Sequence, residues 1–123
     1  MIQPTAAEFD RAVAEALAVI PAEFRIHLEN VLIEVRDRPD VRLMEEHDVP
    51  DDLLGLYAGI PLEDKGLAGD QVLPDRIYIF RDNLVKMCES REELVAEIRV
   101  TVLHEIGHHF GLDEDRLEAL GYD

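Results

Sequence analysis

One segment of the chain, residues 91 to 110, constrains the fold more than any other. It contains no proline and no glycine before Gly107, and in its second half apolar residues occupy most of the helical circumference, at Val100, Val102, Leu103, Ile106 and Phe110. A helix that is apolar almost all round is buried, and its polar residues then need partners inside the protein. Ser90 and Glu93 have the spacing of a capping box, which predicts where this helix begins.

Three polar residues of this helix, within HEIGHHFG, have the spacing found in metal-dependent hydrolases. His104 and His108 are four residues apart, so both imidazoles lie on one helix face and can bind the same ion. Glu105 lies about 100° around the helix from His104, where its carboxylate can reach a water on that ion without being a ligand. We therefore predict that His104 and His108 bind zinc and that Glu105 is the general base.

A third metal ligand is expected after the helix, because catalytic zinc usually has three protein ligands. Gly111 can take the left-handed conformation that ends a helix and turns the chain back. Asp113 and Glu114 both follow this turn. Leu112, Asp113 and Leu117 fit the N′, N-cap and N4 positions of a final helix, and an aspartate used as a cap leaves Glu114 as the freer ligand. We predict Glu114 as the third ligand, with Asp113 as the alternative.

The rest of the chain has the pattern of an α+β protein. Thr5 and Glu8 form another capping box, ahead of an amphipathic helix that stops before Pro21, where a shorter helix follows. Alternation in NVLIEVRDRP predicts a half-buried strand with Val31, Ile33 and Val35 on one face. The segment from Asp40 to Leu54 has a mixed pattern with room for one short helix.

Two further strands are predicted in the second half of the chain. The apolar segment LLGLYAGIPL predicts a short strand near residues 56–60, and the turn-rich EDKGLAGDQVLPD that follows predicts a loop. RIYIF, residues 76–80, combines β-branched and aromatic residues and has the strongest strand pattern in the chain. RDNLVKMC then predicts a helical turn ahead of the long helix.

The charge balance narrows the classes of partner. The chain has 28 acidic and 12 basic residues and a formal net charge of -16. Such a surface repels phosphate groups, and the basic residues are scattered, so we predict no nucleic-acid partner and no membrane partner. The same charge favours solubility and attracts basic peptides.

Length and cysteine content set broader limits. With 123 residues the chain is predicted to form one domain over residues 1–123. Cys88 is the only cysteine, so no intramolecular disulfide can form, and we expect it to be a small core residue. The N-terminal sequence lacks the pattern of a signal peptide, and no apolar stretch is long enough to span a bilayer, which predicts a cytoplasmic protein.

Three separated segments, LLGLYAGIPL, LPDRIYIFRDNL and HEIGHHFGLDE, together resemble the small bacterial zincin-like metallopeptidase family. The last of them follows the extended zincin pattern H-E-x-x-H-x-x-G-x-x-[HDE]. The resemblance implies that His104, His108 and Glu114 are zinc ligands, that Glu105 is the general base and that Gly111 forms the turn. It also implies a minimal zincin-like α+β fold, in which a small mixed β-sheet packs on a long active-site helix with flanking helices.

The resemblance has consequences for substrate binding as well. Zincins bind an extended substrate along an edge strand beside the active-site helix, which suggests this role for RIYIF. Tyr78 within this segment is a candidate for the group that stabilises the oxyanion. Thr101 and Glu97 share the ligand face of the long helix, where Thr101 is placed to line the pocket. No methionine follows Gly111 and no long C-terminal subdomain follows the motif, so the cleft is predicted to be shallow or completed by a partner.

The function predicted from these features is zinc-dependent hydrolysis of peptide bonds, with basic or unstructured peptides or proteins as substrates. An alternative is a metal-binding regulatory or interaction module on a zincin scaffold, with little or no peptidase activity. A third hypothesis is a purely structural domain without a metal. The sequence does not fix the oligomeric state.

Overall fold

The computed structural model describes residues 2–59, 75–110 and 114–119, and within these ranges it describes all side chains except those of residues 108–110, 114, 116 and 117. The predicted loop EDKGLAGDQVLPD lies outside the described residues except for Asp75, which is the first residue of a strand.

The N-terminal part of the chain is helical, as its capping pattern predicts. Helix α1 spans Ala6–Ala18, and its capping box is complete, because Thr5 and Glu8 each accept a hydrogen bond from the other's backbone N–H at 3.1 Å. Helix α2, Ala22–Arg25, begins directly after Pro21 and continues into a 3₁₀ turn, Ile26–Leu28. Both helices match the sequence prediction.

The described strands form a three-stranded mixed sheet. Strand β1 is Val31–Arg36, helix α3 is Val41–His47, strand β2 is Gly55–Ala58 and strand β3 is Asp75–Phe80. Strand β3 lies in the middle, parallel to β1 and antiparallel to β2. The mixed sheet predicted from the sequence is therefore confirmed.

The C-terminal part contains the predicted long helix. Helix α4 is Arg81–Met87, helix α5 is Arg91–Phe110 and helix α6 is Glu114–Ala119. At the start of α5 the Ser90 hydroxyl accepts a hydrogen bond from the Glu93 N–H at 3.1 Å. The Glu93 carboxylate accepts from the N–H of Glu89 at 3.1 Å, one residue before the partner that a regular capping box would use. Helix α6 begins directly after the residue predicted as its N-cap, Asp113, which itself lies outside the described residues.

The main core lies between one face of the sheet and helices α1 and α5. Strand β3 contributes Ile77 and Ile79, both fully buried, and α1 contributes Phe9. Helix α5 supplies Ile98, Val102, Leu103 and Ile106, all fully buried. Burial of one such side chain stabilises the fold by about 1.5–3 kcal/mol, so the fold fixes α5 against the sheet. The architecture is α+β, as predicted, and none of the described helices is long and apolar enough to cross a membrane.

The opposite face of the sheet has a smaller apolar cluster and a set of ion pairs. Tyr78 and Phe80 pack there with Leu43 of α3. The Glu34 carboxylate accepts from Arg36 at 2.6 Å and from Arg76 at 2.9 Å. This face therefore combines charged strand residues with a second apolar cluster, while Ile77 and Ile79 of β3 point into the main core.

Candidate functional site

The predicted site residues on α5 lie next to strand β2. His104 is exposed and Glu105 is half-buried, although their neighbours Leu103 and Ile106 are fully buried. Because α5 remains helical through Phe110, position 108 lies one turn after position 104 on the same helix face. The buried side of the helix thus fixes where His104 and Glu105 project.

Glu105 is connected directly to the sheet. Its Oε1 accepts a hydrogen bond from the backbone N–H of Tyr57 in β2, with an N–O distance of 2.8 Å. Such a bond to a charged acceptor is stronger than a neutral one and limits the orientations of the carboxylate. The predicted general base is therefore held beneath the outer strand of the sheet.

The pairing pattern of β2 explains why Tyr57 can make this contact. The Phe80 N–H donates to the Leu54 carbonyl at 3.0 Å, just before the paired segment in which Leu56 is opposite Tyr78. In an antiparallel pair, hydrogen-bonded and non-hydrogen-bonded positions alternate. The N–H and carbonyl groups of Gly55 and Tyr57 therefore point away from β3, towards the outer edge of β2.

Gly55 allows β2 to lie unusually close to α5. A Cβ atom at this position would lie 2.5 Å from the Thr101 Cγ2 and 3.1 Å from the Tyr78 carbonyl oxygen. Real Cβ atoms essentially never approach a heavy atom within 3.0 Å, so a larger residue here requires a shift of the strand or of the Thr101 side chain. Sequence analysis did not single out Gly55, because the need for a glycine there comes from Thr101, 46 positions later.

A cleft of about 360 Å³ lies between α5 and the segment that leads into β2. Its lining includes His104 and Glu105, and also Thr101, which confirms the prediction that Thr101 lines the pocket. Leu53, Leu54 and Val100 supply apolar surface, and Glu97 supplies a further carboxylate. His104 and Glu105 thus line a space that a ligand can enter.

The segment that forms one wall of this cleft is held by Asn83 of α4. Asn83 is buried, and its side-chain amide donates to the carbonyl oxygens of Asp51 and Leu53, both at 2.8 Å. Both carbonyls precede β2, so a single side chain fixes the approach of the chain to the strand. Sequence analysis missed Asn83, because a polar residue in a short helix carries no signal for a partner 30 residues away.

Tyr57 connects β2 with the start of β3. Its hydroxyl donates to the Asp75 carboxylate at 2.7 Å. Burial, followed by this hydrogen bond and the charge of Asp75, raises the pKa of Tyr57 well above its ordinary value. The phenol therefore stays protonated at physiological pH and keeps its bond to Asp75.

Two predictions about RIYIF are wrong. The segment forms most of β3, which pairs with β1 on one side and β2 on the other, so it is a central strand and not the edge strand beside α5. The outer strand beside α5 is β2. Tyr78 points to the opposite face of the sheet, where Arg36 lies 5.1 Å from its ring centre, so it does not reach the cleft. A strong strand pattern indicates burial, and it does not distinguish the middle of a sheet from its edge.

The described residues represent only part of the predicted ligand set. The side chains of His108 and Glu114, and the alternative ligand Asp113, lie outside the description. Within the side chains that the structure describes, no group of three His, Cys, Asp or Glu residues is arranged to hold a metal ion. The donor chemistry nevertheless fits zinc, because two imidazoles one helical turn apart and a carboxylate form a common catalytic set.

A larger cleft, of about 530 Å³, lies elsewhere and contains none of the predicted site residues. The N-terminal residues Ile2, Gln3 and Pro4 and the side chains of Arg38 and Arg81 line it. Both arginines already pair with carboxylates, Arg38 with Asp82 at 3.4 Å and Arg81 with Asp37. Size alone therefore does not select the functional cleft.

Comparisons with known proteins indicate the family of the chain. The profile of the family described as zincin-like metallopeptidase matches residues 28–122. A solved structure of a conserved hypothetical protein from Thermo thermophilus is similar in fold, with a TM-score of 0.54 and 21% sequence identity over 97% of this chain and 100% of that chain. A search of curated proteins finds no match.

Proposed function

The chain belongs to the zincin-like metallopeptidase family, and from this premise we propose that it is a zinc-dependent peptidase with Glu105 as its general base. One observation carries the proposal: the Glu105 carboxylate lies in an open cleft beside His104 and is hydrogen-bonded to the outer strand of the sheet. A general base must be fixed in position and accessible to substrate, and this carboxylate meets both conditions.

His104, His108 and Glu114 are the residues we assign to the metal. When bound, zinc would supply a Lewis acid that polarises the scissile carbonyl and makes water a better nucleophile. His104 is exposed in the cleft, which suits an imidazole that must meet an ion entering from solvent. Ser90 and the buried face of α5 fix the helix on which His104 lies.

Glu105 performs the proton transfers in this mechanism. Its Oε1 is engaged by the Tyr57 N–H, and we assign Oε2 to accept a proton from the attacking water and to deliver it to the leaving amine. The bond to Tyr57 keeps the carboxylate oriented while Oε2 exchanges the proton. The Tyr57 N–H thus acts as a positioning group for the base.

Strand β2 is the surface on which we place the peptide substrate. Among the described strands it has a neighbour on one side only, and the backbone groups of Gly55 point to its outer edge. An extended peptide can pair with such an edge through main-chain hydrogen bonds, which imposes little sequence preference. This arrangement brings one peptide carbonyl over His104 and Glu105, and it transfers to β2 the role that the sequence suggested for β3.

The test of the proposed function compares the wild type with Glu105→Gln and His104→Ala, each refolded with zinc. We expect hydrolysis of a broad peptide library by the wild type, loss of activity with retained zinc in Glu105→Gln, and loss of zinc in His104→Ala. Glu92→Gln is a matched control, because Glu92 is exposed in the first turn of α5 and outside the cleft. Equal activity of the wild type and Glu105→Gln would contradict the mechanism.

The same experiment distinguishes the alternatives. Stoichiometric zinc without hydrolysis of any peptide would favour the regulatory or interaction module. Absence of zinc from the refolded wild type would favour the structural domain. Metal content by atomic emission and peptide cleavage by mass spectrometry are the two measurements.

A further inference from the structure

Glu97 is the acidic residue of the cleft that the proposed mechanism does not use. It lies on α5 one turn before Thr101 and two turns before Glu105, and all three line the same cleft. At about 1.5 Å per residue, Glu97 is about 10 Å along the helix axis from His104. It is therefore too far away to join the predicted metal site, yet close enough to meet a side chain of a peptide bound there.

Apolar side chains form part of the cleft that contains Glu97. Leu53, Leu54 and Val100 line the same cleft, and Glu97 itself is half-buried. Over residues 2–59, 75–110 and 114–119, no basic side chain whose position is described lies within ion-pair distance of its carboxylate. A half-buried carboxylate beside apolar side chains, with no cation paired to it among the described residues, is a suitable environment for a ligand that is apolar along its length and cationic at its end.

We propose that Glu97 selects substrates that carry an arginine or lysine side chain next to the cleaved bond. The inference rests on the proposed peptidase function and names its substrate class. The methylene groups of such a side chain pack against the leucines and Val100, and its cationic end pairs with the Glu97 carboxylate. Arginine is the better fit, because its planar guanidinium can form two parallel hydrogen bonds with a carboxylate.

The overall negative charge of the protein predicts a different substrate preference from that of a single carboxylate in the cleft. A net charge of -16 attracts every basic peptide, regardless of where its positive charge lies. Selection by Glu97 depends on the position of one charge in the peptide and on one carboxylate in the protein. Glu92→Gln provides the matched control, because it removes the same charge from the same helix at an exposed position outside the cleft.

The experiment uses the zinc-loaded full chain and one peptide sequence in which arginine or its neutral isostere citrulline occupies each position around the cleaved bond. We expect the wild type to prefer arginine at one position by about tenfold or more in kcat/KM, as befits a charge-assisted hydrogen bond. Glu97→Gln should reduce this ratio to about one, and Glu92→Gln should retain it. Glu97→Asp, which keeps the charge on a shorter side chain, should lie between the two.

A binding measurement separates this inference from the proposed function. Fluorescence polarisation of the labelled arginine and citrulline peptides on Glu105→Gln gives their affinity ratio without cleavage, and the same ratio is then measured on the double variant that also carries Glu97→Gln. If Glu97→Gln lowers this ratio while the wild type cleaves no peptide, the result would support selection of arginine by Glu97 and would contradict the proposed peptidase function. If Glu97→Gln leaves the ratio unchanged, or if Glu92→Gln lowers it equally, selection of arginine by Glu97 is contradicted even if the protein cleaves peptides.

Discussion

The two outer strands of the sheet, β1 and β2, are built in different ways. Strand β1 is six residues long and pairs with β3 over its whole length, whereas β2 has four residues and begins with a glycine. Polar side chains on β1 form ion pairs within the sheet surface, around Glu34. Strand β2 is instead bonded to α5 through Glu105, and the segment that leads into it is bonded to α4 through Asn83.

The two strands therefore differ in their roles: β1 mainly stabilises the sheet, and β2 positions the candidate site. Strand β1 is specified by its own alternating pattern and by the ladder with β3. Strand β2 depends on residues far away in sequence. Thr101 leaves no room for a side chain at position 55, and the Tyr57 N–H donates to the Glu105 carboxylate. Changes to β2 should therefore alter the site more than changes to β1.

The largest effect is expected for Gly55→Ala. Its new Cβ would clash with the Thr101 Cγ2 and displace β2 from α5, and a displacement of about 1 Å at an active site can lower the rate about 100-fold. Thr101→Ser removes the clashing methyl group, so the double variant Gly55→Ala with Thr101→Ser should recover part of the activity. Peptide hydrolysis by all three variants is the measurement, and full activity of Gly55→Ala would show that the close approach is not required.

A smaller effect is expected for Asn83→Ala. The variant leaves the carbonyls of Asp51 and Leu53 without their side-chain donor, which should lower the free energy of unfolding by about 1–3 kcal/mol. Urea unfolding measures this loss, and faster amide exchange in β2 than in β1 would locate it. Lys86→Ala, at an exposed position of the same helix, is the control. Equal protection of the two strands in Asn83→Ala would contradict the role of Asn83.

The smallest effect is expected on β1, for Glu34→Gln. The variant weakens the ion pairs with Arg36 and Arg76, whose side chains are 42% and 41% exposed. Pairs at such a surface contribute about 1 kcal/mol or less, and salt screens them. Urea unfolding at low and high salt should differ less for the variant than for the wild type, while kcat/KM stays unchanged. A loss of peptidase activity would show that both outer strands contribute to the site.

Much of the fold follows from local sequence patterns. The capping box of Thr5 and Glu8, the alternation in β1 and the proline-free helical pattern of α5 each act over a few residues, and the structure agrees with them. The positions of His104 and Glu105 on one accessible part of a buried helix follow from the same helical period. These features are predictable because chain neighbours determine them.

The features that a sequence pattern does not reveal depend on partners far apart in the chain. Strand order is one, since RIYIF has the same composition whether it lies in the middle of the sheet or at its edge. The contact of Glu105 with Tyr57 joins residues 48 positions apart, and that of Asn83 with Leu53 joins residues 30 positions apart. No pattern of residue types within a window predicts such pairs, because each depends on tertiary packing.

The order of the strands also dictates when the protein can fold during synthesis. Both β1 and β2 leave the ribosome before β3, yet each pairs with β3, so neither has its partner until about residue 80 has been made. The core then closes only when α5 packs against α1, which was synthesised first. Such non-local contacts slow folding and expose apolar surface in the nascent chain. Because α5 also carries His104 and Glu105, completion of the core and assembly of the candidate site occur in the same late step.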